Sequence, residues 1–163
     1  MYEEIFKALN EKNIRYMVAG GVAVVLHGFL RATADLDLIV DFEKNNITAF
    51  INVMKALGFK PKPPVPIEDF ASADNREKWK REKGMRVFSL YRPDKPQDMV
   101  DIFVDEPIPF TAAYARCELV STGETNISVI SIPDLILLKK MAGREQDIED
   151  IRALNELGGS HEQ

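Results

Sequence analysis

The chain has 163 residues, of which 45% are hydrophobic and 29% charged, so it can bury a core and disorder over most of its length is excluded. Its 26 acidic and 21 basic residues leave a net charge of -5, which argues against a nucleic-acid coat or a polybasic membrane tether. The lone Cys117 cannot form an internal disulfide, no apolar run approaches a membrane span, and the acidic start Met1-Tyr2-Glu3-Glu4 is unlike a signal peptide. These features predict one cytoplasmic domain over residues 1–163.

In chain order, Ile5, Phe6 and Leu9 predict a short surface helix from Tyr2 to Lys12. A strand follows at Tyr16–Ala19 and ends at Gly20-Gly21. A short apolar helix spans Val22 to His27 and stops at Gly28. Leu36–Val40 reads as the next strand. Ile47, Phe50, Ile51, Met54 and Leu57 place a helix over Asn46–Leu57. Pro61, Pro63, Pro64 and Pro66 then make an extended elbow that neither a helix nor a central strand accepts. Residues 61–84 form a variable excursion, helical from Glu68 to Lys83, with Trp79 as its one large anchor. Arg86–Tyr91 and Met99–Val104 predict a hairpin turning through Pro93-Asp94-Lys95-Pro96. Short strands follow at Glu118–Ser121 and Asn126–Ile130. Over 131–158 a helical pair is expected. Its first helix opens on Ser131 and Pro133 and carries Leu135, Leu138 and Met141. Its second carries Ile148, Ile151 and Leu154 and ends at Gly158-Gly159. The predicted class is α/β (α+β): a mixed central sheet flanked by helices, with a C-terminal helical pair.

Chemistry concentrates between Ala19 and Val40. Side chains two apart on a strand share a face, so Asp35 and Asp37 present both carboxylates together while Leu36 and Leu38 pack behind them. At ~4 Å and an effective dielectric of ~20 such a pair repels by roughly 4 kcal/mol. A divalent cation is the simplest partner, and oxygen ligands suit Mg²⁺ or Mn²⁺. Asp101 is the third candidate, because a charge inside the apolar run Val100–Val104 is expensive unless paired or metal-bound. Asp41, Asp98 and Asp105 sit at strand ends, where an acid costs little. Gly20 and Gly21 let backbone N–H groups approach a phosphate. Acids for metal and glycines for phosphate are the requirements of nucleotidyl transfer.

The stretch Ala19-Gly20-Gly21, thirteen residues, then Asp35-Leu36-Asp37-Leu38, with Val100-Asp101-Ile102 further on, resembles the nucleotidyltransferase superfamily of the DNA-polymerase-β type. Arg31-Ala32-Thr33-Ala34-Asp35, together with Leu138-Lys139, Gly143-Arg144, Asp147 and Asp150, resembles the small stand-alone prokaryotic branch that includes AbiEii-type toxin transferases. The resemblance touches 16–57 and 86–154. It implies Asp35, Asp37 and Asp101 as metal ligands and catalytic residues, with Asp101 as proton acceptor. Gly20 and Gly21 would contact the triphosphate, and Arg31, Thr33 and Lys139 would surround the nucleotide. The implied partners are a nucleoside triphosphate, a hydroxyl acceptor (an RNA end, a protein or a small molecule) and an antitoxin protein, with no membrane. Many members carry Gly-Ser where this chain has Gly-Gly.

Each feature has a plainer reading. Arg76–Lys83 with Trp79 could be an RNA-backbone stripe, but its interleaved acids favour an ordinary charged helix face. Lys139 and Lys140 read by default as surface lysines. Arg144, Asp147 and Asp150 can pair with one another at helical spacing. His27, whose one fellow histidine is His161 in the tail, reads as packing or capping. Cys117 reads as inert, and Phe110 and Tyr114 as core or rim residues. Three functions stay open: a metal-dependent transferase of NMP to a hydroxyl, which includes the toxin of a toxin–antitoxin pair; a catalytically silent nucleotide-binding module; and an antibiotic-modifying transferase with an acceptor pocket built by the elbow and the Trp79 excursion.

Overall fold

The computed structural model describes residues 2–162, the last four by backbone alone; Met1, Gln163 and the side chain of His161 lie outside the described residues. Seven helices and seven strands follow in order: α1 (Glu3–Glu11), β1 (Tyr16–Ala19), α2 (Gly20–Leu26), β2 (Leu36–Val40), α3 (Lys44–Ala56), β3 (Lys60–Pro61), α4 (Ala73–Lys83), β4 (Val87–Arg92), β5 (Lys95–Phe103), α5 (Phe110–Arg116), β6 (Glu118–Thr122), β7 (Thr125–Val129), α6 (Ile132–Ala142) and α7 (Glu145–Glu162). A 3-10 turn at Ile67–Ala71 precedes α4. The strands make one sheet in the order β3-β4-β5-β2-β1-β7-β6. Pairing is parallel between β1 and β7 and between β2 and β5, and antiparallel elsewhere. This is the mixed α/β architecture expected from the sequence.

The central strands are apolar apart from Asp37 and bury accordingly: Tyr16, Met17, Val18 and Ala19 are all buried, as are Leu36, Leu38, Ile39 and Val40 on the neighbouring strand. Each such large side chain contributes about 1.5–3 kcal/mol when fully withdrawn from water. In α3 the apolar set Ile47, Phe50, Ile51 and Met54 is buried, while Glu43 caps the helix by accepting from the amides of Asn45 and Asn46. Ser131 caps α6 in the same way, with Pro133 in its first turn.

The excursion is tied to the sheet by its aromatic anchor. Trp79 is buried and stacks on Phe88 at 5.1 Å, and Phe70 stacks on the same ring at 5.1 Å. Arg76 lies 4.1 Å over the Phe42 ring and donates to the Phe70 carbonyl at 2.6 Å. Neither side chain faces solvent, so the RNA-stripe reading loses its stacking platform. The proline elbow lies at the sheet rim, where β3 is two residues long, and so meets no central-strand hydrogen-bond demand.

Several boundaries differ from expectation. α2 begins at Gly20, not Val22, so the glycine pair forms the first turn of the helix. β5 starts at Lys95, so only Pro93 and Asp94 make the hairpin turn. α5 was not anticipated: it is seven residues long, with Phe110 stacked on Tyr114 at 5.3 Å. α7 continues through Gly158 to Glu162. In the helical pair, Met141 and Ile148 are exposed, while Asp134, Lys139, Asp147 and Asp150 are buried. The surface-lysine expectation for Lys139 is therefore corrected. His27 ends α2, with Nε2 2.7 Å from the Ile130 carbonyl and Nδ1 3.0 Å from Glu118, a packing and capping role. No helix among the described residues is long and apolar enough to cross a membrane.

Candidate active site

Sheet register gathers the acids. Asp37 on β2 pairs with Asp101 on β5, Ala19 pairs with Asp37 on one side, and Ser89 of β4 pairs with Asp101 on the other. Two carboxylates far apart in sequence thus stand side by side, with Asp35 one residue ahead of β2. Leu36 and Leu38 are fully buried behind them. The competing acids already have partners: Asp41 pairs with Arg15 at 2.7 Å, Asp98 with Arg92 at 3.1 Å and Asp105, at the cleft rim, with Lys80 at 2.8 Å.

The electrostatics of this row are uncompensated. Burial, then the charges of Asp101 and Asp35, push the Asp37 carboxyl up to about 7, against a smaller opposing pull from Lys139 and Arg144. Burial and Asp101 likewise raise Asp35, against a pull from Lys62 in the proline elbow. Ser89 donates to Asp101 Oδ1 at 2.6 Å, which fixes that carboxylate and leaves its other oxygen available. Among the described residues none of these three acids forms a salt bridge. Nor does any group of three or more His, Cys, Asp or Glu among them close into a preformed metal cage. The donor set itself fits a hard divalent cation: all-oxygen, negatively charged, and lacking an internal counter-charge.

The glycines are required by this row. Gly20 has φ +62°, and a Cβ there would lie 1.9 Å from Asp37 Oδ2. At Gly21 a Cβ would meet Thr33 Oγ1 at 2.4 Å and Arg31 Nη2 at 2.8 Å. The glycine pair therefore makes room first for the chain's own Asp37, Thr33 and Arg31. The first amides of α2 have no side-chain cap.

The helical pair supplies the opposite wall. A cleft of about 740 Å³ is lined by Gly20, Asp37 and Asp101, by Lys80 and Gly84 of the excursion with Met85 and Arg86 just after it, and by Leu138, Lys139, Met141 and Arg144. The excursion thus contributes to the cleft through Lys80 and its C-terminal end, while Trp79 stays in the core. Gly21, Arg31, Thr33 and Asp35 lie outside the cleft lining. Lys139 is buried, with Nζ 3.2 Å from Asp147 and 2.9 Å from Asp150, so two of its three donors are used. Asp147 also accepts from the amide and Nε of Arg144 at 3.0 and 2.9 Å, capping α7 from its third position. Arg31 grips Asp150 through Nε and Nη2, both at 2.9 Å. Among the residues beside the acids, sequence reasoning missed Ser89, Lys62 and Tyr2, whose hydroxyl donates to the Ala34 carbonyl. Ser89 was findable only from strand register.

A glycine-led helix between two strands, an acid-x-acid strand, and a third acid on its parallel neighbour, all on a mixed sheet, define the nucleotidyltransferase fold, and the protein is a nucleotidyltransferase. The chain belongs to the family described as "Nucleotidyltransferase of unknown function (DUF6036)", whose model matches residues 2–157. No curated protein matches it. Among solved structures it is similar to ANT(2'')-Ia in complex with adenylyl-2''-tobramycin (17% identity, TM-score 0.63, covering 98% of this chain and 88% of that one). It is also similar to the lincosamide antibiotic adenylyltransferase LnuA, lincomycin-bound (16%, 0.61, 96% and 98%). A third is an antigenic nucleotidyltransferase-like protein from Paracoccidioides brasiliensis (16%, 0.60, 94% and 72%). These likenesses establish the fold. The AbiEii-type resemblance rests on the sequence motifs alone.

Proposed function

We propose that the protein moves a nucleoside monophosphate from a nucleoside triphosphate onto a hydroxyl of an acceptor bound in the 740 Å³ cleft. The observation that carries this reading is the side-by-side register of Asp37 and Asp101 at the cleft wall, with neither in an ion pair among the described residues. Asp35, Asp37 and Asp101 would hold Mg²⁺ or Mn²⁺, and such an ion supplies charge neutralisation at the triphosphate and the attacking oxygen when bound. In the transfer the acceptor oxygen forms a bond to the α-phosphorus, the α–β anhydride bond breaks, and pyrophosphate leaves. Asp101, oriented by Ser89, takes the hydroxyl proton. The uncapped first amides of α2 and the remaining donor of Lys139 face the phosphates.

A small hydroxyl-bearing acceptor fits better than RNA, because Trp79 and Arg76 are locked in the core and Met85, Leu138 and Met141 make part of the cleft wall apolar. Two structural neighbours were solved with such molecules bound, adenylyl-2''-tobramycin in one and lincomycin in the other. The toxin reading, with its antitoxin partner, is a separate refinement tested by the same assay in cell extract.

The test uses α-labelled triphosphates with Mg²⁺ or Mn²⁺, offered RNA, cell extract and a panel of hydroxylated small molecules. Pyrophosphate release and a mass-shifted acceptor are expected from wild type and not from Asp37→Ala. Equal labelling by both proteins sinks the assignment.

A further inference from the structure

The carboxylate of Asp150 is fully buried, and its four acceptor sites are all taken. Arg31 Nε and Gln146 Nε2 donate to Oδ1 at 2.9 and 3.0 Å, and Arg31 Nη2 and Lys139 Nζ reach Oδ2, each at 2.9 Å. These donors come from three places: the segment between α2 and β2, α6, and the first turn of α7 itself. Arg31 has little left for a ligand. Its Nη1 donates to the neighbouring Ala32 carbonyl at 2.7 Å, and its Nη2 fills the space in front of Gly21, where a Cβ would come within 2.8 Å. Arg31 is also outside the cleft lining, whereas Lys139 is in it.

We infer that Arg31 and Asp150 are positioning residues for nucleotidyl transfer: their two-pronged bond fastens the 28–35 segment, with Thr33, Asp35 and the wall of Gly21, to α7, and Arg31 is not a phosphate ligand. This role rests on the nucleotidyl-transfer reading. It differs from that reading's family-based expectation that Arg31 lies against the nucleotide. The fork works by geometry as well as charge. A guanidinium presents two parallel N–H groups to one carboxylate and so fixes orientation, which a lysine ammonium cannot do. Because Asp35 sits four residues after Arg31 on a segment without helix or strand, its placement relative to Asp37 depends on how that segment is anchored at Arg31 and, through Tyr2, at Ala34.

The experiment compares full-length wild type with Arg31→Lys and Asp150→Asn by three readouts. These are amide hydrogen exchange, calorimetric binding of ATP, GTP, CTP and UTP with Mn²⁺, and the rate of pyrophosphate release at saturating triphosphate. In Arg31→Lys, exchange over residues 28–35 should speed up at least about tenfold while α1 is unchanged. Pyrophosphate release should fall at least about thirtyfold, with the triphosphate Kd moving less than about threefold. A Kd weakened about tenfold or more at an unchanged saturated rate would make Arg31 a phosphate ligand and overturn the proposal. Unchanged exchange over 28–35 would overturn it as well. Should Asp150→Asn fail to fold, Arg31→Lys, which keeps the charge, decides the matter alone. If wild type neither binds triphosphate nor releases pyrophosphate while exchange over 28–35 responds as expected, the nucleotidyl-transfer reading fails and the fastening stands.

Discussion

Two pairs of acids, Asp147 and Asp150 on α7 and Asp37 and Asp101 on the sheet, are treated in opposite ways: the first pair is buried, the second half-buried at the cleft. Asp147 and Asp150 on α7 are enclosed by Arg31, Lys139 and Arg144, so two negative charges meet three positive ones. Asp37 and Asp101 on the sheet have one serine hydroxyl between them and no ion pair among the described residues. Burial raises Asp147 and Asp150, but hydrogen bonds from Arg144 and Lys139 to the first, and from Lys139, Arg31 and Gln146 to the second, outweigh it and hold both below the usual carboxylate range. For Asp37 nothing outweighs burial. A fold that can satisfy buried carboxylates this completely at one wall leaves the other wall bare at a cost in stability, and such a cost is the mark of a site reserved for something from solution.

The sharpest way to break this contrast is to remove one acid from each side. Asp37→Ala should abolish pyrophosphate release, a loss of at least about a thousandfold, while the melting temperature stays level or rises, because a desolvated carboxyl with no ion-pair partner has been deleted. Asp150→Ala should do the reverse to stability, lowering it by about 3–5 kcal/mol in denaturant unfolding, since Arg31 and Lys139 lose their shared partner. A drop in melting temperature for Asp37→Ala as large as that for Asp150→Ala would erase the distinction.

Gly20→Ala tests whether the bare acids need the glycine turn. The added methyl strains a backbone at φ +62° and collides with Asp37 Oδ2, so activity should fall at least about a hundredfold and stability by about 1–3 kcal/mol. Acid titration separates the walls again. The depressed groups Asp147 and Asp150 bind fewer protons in the folded state, so their contribution is present above the ordinary carboxylate range and is lost as pH falls through their lowered values. Stability measured from about pH 6 down to about pH 2 should therefore fall less steeply in Asp150→Asn than in wild type. Ser89→Ala, the mildest change, should slow transfer about tenfold through a loosened Asp101 and leave stability within about 1 kcal/mol.

The bare wall was more legible in the sequence than the paired one, for a physical reason. Gly20-Gly21 and Asp35-x-Asp37 are short-range signals, and Asp101 stands out because a lone charge in Val100–Val104 demands an explanation. Arg31 and Asp150 both fall in the stretches that carry the resemblance, but they are 119 residues apart, and helical spacing offers Asp150 a partner in its own helix rather than Arg31. The helical pair was legible in part: Leu135 and Leu154 are buried as the periodicity predicts, but Met141 and Ile148 face outward while Lys139, Asp147 and Asp150 take buried positions that hydrophobic periodicity cannot mark. Trp79 was legible as an anchor, although its partner Phe88 was not. α5 was too short for its pattern to register.

The two rims of the sheet have unequal fates. At one end β3 is only Lys60-Pro61, followed by Pro63, Pro64 and Pro66, a border with few amide hydrogens to offer another chain. At the other end β6 runs five residues as an outermost strand. Concentrated solutions and crowded cells therefore meet a molecule that self-seals on the side of the excursion, and any growth of the sheet by a foreign strand is directed to the opposite border, away from the prolines.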